Sequence, residues 1–294
     1  MYNARPNREK IQYITPEGTV YTLDSPPRRS VITIDGLGLP PSNYRTNRGP
    51  FQHSENVISQ LLQPRIITLT FRHNGESRSD HWNHRTNLID TLRGNITSDL
   101  TNHSMLHNPE PGTLRFIYYI DKVRYVRDIS VYITGGVSFK SPSQWDNYAI
   151  QEDIQFTAYD PTFYDPTART QALTLVGTAE VVTPGTWETF PTFTITGAYD
   201  TIGIWNHETG YYWVVDFTTA VGEVVTVELT PGNKRVYSDI NGNLISYVTL
   251  SSYLINWALH PDPIAPSGSN TIQTAATGGA PTVSVTWYDR YIGL

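Results

Sequence analysis

Asp160 and Asp165 are the first residues in this chain whose type and spacing suggest chemistry. Two carboxylates held across a cleft about 5–10 Å wide are the machinery of glycoside hydrolysis. Here each aspartate immediately precedes a proline, where Asp is favoured for turn formation, so the turn reading prevails. His81 and His84 lie three apart and could present two imidazoles on one helical face. A zinc site takes three or four ligands, and no third is marked by spacing. The chain has no cysteine, which excludes thiolate catalysis, Cys-ligated zinc and disulfides. No P-loop, dinucleotide fingerprint, G-x-S-x-G or H-E-x-x-H occurs. No enzymatic activity, metal or cofactor is therefore expected. What remains is aromatic. Trp205, Tyr211, Tyr212 and Trp213 flank the turn His207-Glu208-Thr209-Gly210, and aromatic faces stack well on the apolar faces of sugars. Strand alternation puts Tyr211 and Trp213 on one face and Tyr212 on the other, so one face is core and the other a candidate glycan contact.

The elements that must position these residues are read most clearly at 156–166, Phe-Thr-Ala-Tyr-Asp-Pro-Thr-Phe-Tyr-Asp-Pro. An alternating strand with Ile150, Ile154, Phe156 and Ala158 on one face runs into two Asp-Pro steps. Proline fixes its own φ, removes a donor and pushes the preceding residue out of the helical region. The strand must stop at Asp160 and the chain must turn away, with Phe163 and Tyr164 anchoring the turn. Phe156, Asp160, Pro161, Phe163 and Tyr164 thus read as an elbow between two β domains, 1–168 and 169–294. A length of 294 residues suits two domains. The charge changes sign near the same place. Residues 1–150 hold 17 basic and 13 acidic side chains, a balance of +4, and residues 151–294 hold 4 and 14, a balance of −10.

With 12% aromatic and only 16% charged residues, the composition favours sheets over solvated helices. No run of 18 apolar residues occurs, so no membrane span is expected, and Met1–Lys10 is not followed by the apolar stretch of a secretory signal. The basic half has no Lys/Arg run beyond Arg28-Arg29, so sequence-specific nucleic-acid binding is not expected.

Along the chain, Val31–Ile34 reads as a strand and residues 36–56, punctuated by Gly and Pro, as a long irregular loop. Residues 65–72 alternate as a strand. Ser79 is placed to cap a helix with Trp82, Leu88, Ile89 and Leu92 on one stripe, stopped by Gly94. A long hairpin, Leu114–Thr134, turns at Asp121-Lys122. The second half alternates near Leu173–Val176, Phe193–Ile195, Ile202–Trp205, Tyr211–Phe217, Val224–Leu229, Lys234–Ile240, Leu244–Leu250 and Val283–Tyr288, the spacing of a β-sandwich or jelly roll.

The strand ending Phe156-x-Ala158-x-Asp160-Pro161-x-Phe163-Tyr164 resembles the domain junction of the distal tail proteins of long-tailed bacteriophages. Four later stretches are similar to that family in the same order: Pro191-Thr-Phe-Thr-Ile195-Thr-Gly197, Gly222-Glu223-Val224-Val225, Gly268-Ser-Asn270-Thr-Ile272 and the closing Trp287-Tyr288-Asp289-Arg290-Tyr291. The resemblance implies a mainly β protein: an N-terminal β-sandwich-like ring domain with one helix and a long hairpin, then a galectin-like C-terminal sandwich. It further implies a structural part of a virion, assembled in the host cytoplasm. Such a subunit is usually one of six in a ring between the tail tube protein and a tail-tip hub protein, near a receptor-binding protein or host glycan. The alternative is a carbohydrate-binding protein that uses an aromatic groove of the second domain.

Overall fold

The structure, a computed structural model, describes residues 10–25, 29–48, 53–74, 77–92, 110–134, 138–139 and 149–294. They divide into two units: the first runs to Phe163 and takes in Ile292–Leu294, and the second is Tyr164–Tyr291. The chain thus leaves the first unit after Phe163 and re-enters it at Ile292.

In chain order the first unit holds β1 (Lys10–Ile14), β2 (Val20–Thr22), β3 (Arg29–Asp35), β4 (Ser42–Asn47), β5 (Asn56–Leu62), β6 (Arg65–Asn74), the helix α1 (Arg78–Leu92), β7 (Gly112–Ile120), β8 (Val123–Ile133), β9 (Ser138–Phe139) and β10 (Ala149–Ala158). The short β11 (Phe163–Tyr164) marks the passage to the second unit. The main sheet runs β2-β1-β7-β8-β10-β6-β3. It curls. Tyr13 on β1 and Phe156 on β10 are three strands apart in this order, yet their rings lie 5.9 Å apart. Inside the curl, Ile67, Leu69, Phe71, Leu114, Ile129, Val131, Ile154 and Phe156 are buried, each contributing about 1.5–3 kcal/mol by leaving water. The β7–β8 hairpin forms where alternation placed it. Asp121 and Lys122 both adopt positive φ, 50° and 69°, the backbone of a two-residue turn that matches strand twist.

Three expectations for this unit are corrected. Residues 36–56 are not an irregular loop throughout, because Ser42–Asn47 pairs antiparallel with Asn56–Leu62. The flanking Gly and Pro residues hid a ribbon. The helix is capped by Ser77, whose Oγ accepts from the Asp80 amide at 3.1 Å, and not by Ser79, which lies inside it. Its buried stripe is narrower than expected. Leu88 and Leu92, one turn apart, are buried, while Trp82 and Ile89 on the adjacent face are exposed, with the Arg85 guanidinium 4.7 Å over the Trp82 ring. Gly94 lies outside the described residues.

The second unit is a sandwich. Its strands are β12 (Arg169–Leu173), β13 (Gly177–Val182), β14 (Thr192–Thr196), β15 (Thr201–Asn206), β16 (Tyr212–Asp216), β17 (Val224–Glu228), β18 (Arg235–Ser238), β19 (Gly242–Asn243), β20 (Ser269–Thr277), β21 (Thr282–Trp287) and β22 (Arg290–Tyr291). One sheet is β12-β21-β14-β17-β18-β19 and the other β13-β20-β15-β16. Alternation sends Phe193, Ile195, Val225, Val227 and Val285 of the first sheet against Ile202, Ile204, Trp213, Val215 and Ile272 of the second. Phe193 is clasped edge-on by Trp213 at 5.5 Å and Trp257 at 5.1 Å. Leu244–Leu250, expected as a strand, instead opens with a 3-10 turn at Ile245–Tyr247, started by the Asn243 side chain accepting from the Ile245 amide. The segment beyond it lines the edge of β16, where the Thr249 and Tyr253 amides donate to Val214 and Tyr212 carbonyls. The architecture is mainly β, with one α-helix among the described residues, none of whose helices is long and apolar enough to cross a membrane.

Candidate functional site

The residues that follow β10 form a closed turn within the first unit. β10 ends at Ala158. Asp160 is exposed, and its carboxylate accepts from the Thr162 amide and hydroxyl at 3.3 and 2.7 Å, a turn closed two residues on. Pro161 is buried, and its carbonyl accepts from Arg65 Nε at 2.8 Å. Phe163 is buried between the Arg65 guanidinium, 4.8 Å away, and Phe116, whose ring meets it edge-on at 5.9 Å. Phe156, near the end of β10, is buried against Tyr13. On the other side of the boundary, Tyr164 is half-buried and packs edge-on against Tyr288 at 6.3 Å. Asp165 repeats the Asp160 device, accepting from the Thr167 amide at 2.9 Å. Both aspartates therefore serve turns.

Arg65 is the residue that sequence reasoning missed. Its side chain is buried, and it donates to four main-chain carbonyls: Pro161, Gly36, Gly38 and Ile292, at 2.6–2.8 Å. Burial lowers its pKa from the ordinary value, although arginine stays charged. Gly36 must be glycine here. It sits at φ +92°, and a Cβ would strike the Ile66 carbonyl at 2.1 Å. Three stretches distant in sequence, at 36–38, 161 and 292, thus meet at one cation.

The β4–β5 ribbon forms a sheet of its own. Tyr44, Val57, Ile58 and Leu61 on it are exposed, Ile58 by 65%. A two-stranded ribbon alone is marginal in water.

In the second unit Trp213 is buried in the core, so it is not available to a ligand. Tyr211 is partly buried and packs against Tyr253 at 5.5 Å. Trp205 and Tyr212, paired across β15 and β16, lie on the outer face with rings 6.1 Å apart and near parallel at 22°. Tyr253 stands against Tyr212 at 74°. Tyr253 was not singled out from sequence, since it lies in a turn-rich stretch with no alternation to mark it.

The buried carboxylates of this unit are structural. Asp289 accepts from Arg169 Nε at 2.6 Å, from the Thr183 hydroxyl and from the Trp287 indole. Burial by itself would raise the Glu223 pKa. Bonds from the Ser238 hydroxyl, the Ala220 amide and the Asn241 side chain outweigh it and hold the group below the ordinary carboxylate value. Such a group stays ionised at neutral pH. Among the described residues no three His, Asp or Glu side chains gather as a metal site. The His81 side chain lies outside the described residues, and His84 faces Asp80 at 3.1 Å.

Residues 184–291 match the family model described as siphovirus-type tail component, C-terminal domain. Among solved structures, the chain is similar to the SPP1 Dit (gp 19.1) protein, described as a paradigm of the hub adsorption apparatus in phages infecting Gram-positive hosts. The TM-score is 0.65 at 13% identity, covering 96% of this chain and 99% of that one. The baseplate of phage P2 in its activated conformation with calcium contains a chain similar at a TM-score of 0.45 and 10% identity, covering 95% of this chain and 98% of that one. No curated protein matches by sequence.

Proposed function

We propose that this chain is a structural, non-enzymatic subunit of a phage tail tip, part of the virion and assembled in the host cytoplasm. Six copies form a closed ring that joins the tail tube protein to the tail-tip hub and host-recognition apparatus. The ring contacts are assigned to residues 1–168, and residues 169–294, a galectin-like sandwich, face outward toward peripheral proteins. The single observation that carries this reading is the β4–β5 ribbon, which exposes Tyr44, Val57, Ile58 and Leu61 and forms a sheet of its own. A ring needs one surface that fits a different surface of the next copy, and a two-stranded ribbon with exposed apolar side chains is such a surface. The family match in the second half and the fold shared with SPP1 Dit support the tail assignment. The charge asymmetry supports the division of labour, since six strongly acidic domains packed face to face would repel one another.

The test is the native mass of the full chain by multi-angle light scattering. A hexamer at high concentration is expected. The double variant Ile58→Lys/Leu61→Lys should give a monomer with unchanged circular dichroism. A wild-type chain that stays monomeric at high concentration, and also inside purified particles, overturns the ring.

A further inference from the structure

We infer that the outer face of the β13-β20-β15-β16 sheet carries a binding site for a neutral pyranose glycan, with Trp205 and Tyr212 as its stacking floor and Tyr253 as its wall. Strand register sets the site. Trp205 pairs with Tyr212 on one side and with Gln273 on the other, so three side chains stand abreast on the outer face. The next position along β15 is Gly203, and the Trp205 six-membered ring reaches over it. A Cβ at Gly203 would strike that ring at 2.5 Å. The partly exposed indole thus leans along the sheet above a glycine. Its neighbour Tyr212 extends the surface at nearly the same tilt, and Tyr253, about half exposed, closes one side by crossing Tyr212.

The polar border decides what fits. The Gln273 side chain bonds the exposed His207 imidazole at 2.9 Å, beside Trp205. Thr271 and Glu180 occupy the next row, paired across β20 and β13. An amide, an imidazole, a hydroxyl and a carboxylate beside an aromatic surface match a polyol that has one apolar face and a rim of hydroxyls. Charge excludes the anionic alternatives. Residues 164–291 carry 11 acidic and 4 basic side chains, a balance of −7. None of those 4, Arg169, Lys234, Arg235 and Arg290, lies on β13, β15, β16 or β20. A nucleic acid, a sulfated glycan or a phosphate-bearing polymer finds no cation there. The site belongs to the second unit and shares no residue with the ribbon on which the ring reading rests.

The full-length protein is applied to an array of neutral and anionic glycans, and hits are titrated by calorimetry. Neutral hexopyranosides should bind. Trp205→Ala and Tyr253→Ala should each weaken binding about tenfold or more, and Trp205→Phe should restore most of it. Gly203→Ala removes no aromatic and no polar group, but displaces the Trp205 ring, and should also weaken binding. Thermal unfolding and native mass should stay unchanged in all four variants, so that loss of sugar binding is read separately from loss of the ring. Binding confined to anionic glycans, neutral binding that survives Trp205→Ala, or no glycan binding by a folded wild-type chain would overturn the site.

Discussion

The Arg65 guanidinium lies 4.8 Å from the centroid of the Phe163 ring, and both side chains are buried. A cation on an aromatic face gains more when water is excluded. Here the same guanidinium also donates to four carbonyls, so the ring and the carbonyl oxygens together replace its hydration shell. Arg65→Met keeps apolar bulk against Phe163 but strands four acceptors. It should lower stability by roughly 3–5 kcal/mol, read as a fall in the urea midpoint. Arg65→Lys should recover only part of this, because an ammonium has three donors and no planar fork.

Asp160→Ala removes the side-chain acceptor that closes the elbow turn at Thr162. The loss should cost about 0.5–2 kcal/mol, the range of comparable capping bonds. Limited proteolysis should then cut faster within 159–168, with each sheet unit still protected. Unchanged cleavage there would mean that Pro161 and Phe163 alone fix the turn.

At the tip of the long hairpin, Lys122 sits at φ 69° without being glycine. Replacing Asp121-Lys122 by Asn-Gly suits a turn that needs positive φ at both positions. The relief of backbone strain exceeds the added chain entropy, so the urea midpoint should rise by roughly 0.5–1 kcal/mol equivalent. A fall would show that the Lys122 side chain makes a contact that outweighs its backbone.

Glu223 supplies a pH signature. Its folded pKa is depressed below the ordinary value of 4.5, so its contribution is fully present above that value and is lost as pH falls through the folded one. Glu223→Gln should destabilise the protein by about 1–3 kcal/mol at pH 7. The gap between variant and wild type should narrow as pH drops below the ordinary carboxylate range. A gap independent of pH would assign the effect to shape and not to charge.

The elements that alternation and turn chemistry control were readable in sequence: the β7–β8 hairpin, the end of β10 just before the Asp160-Pro161 step, and the inward Phe193, Ile195, Ile202 and Ile204 of the sandwich. Failures came where a partner far along the chain decides. Arg65 is one arginine among many until Gly36, Gly38, Pro161 and Ile292 are brought to it, the last from 227 residues away. The β4–β5 pairing was hidden because its strands carry polar residues and stand between Gly and Pro punctuators, which read as loop. Leu244–Leu250 alternates like a strand, but the Asn243 side chain turns the backbone at Ile245. In the aromatic group, alternation separated Trp213 from Tyr212, and burial then removed Trp213, while Tyr253 joined from a segment with no periodic signal.

The return of Ile292–Leu294 to the first unit has a consequence for synthesis. A ribosome delivers residues 1–163 long before it delivers Ile292, whose carbonyl accepts from Arg65, or Leu294, whose amide donates to Leu37. The nascent first unit therefore waits, lacking its last contacts, while the whole second unit is translated. A chain cut short before residue 292 lacks the clasp at Arg65.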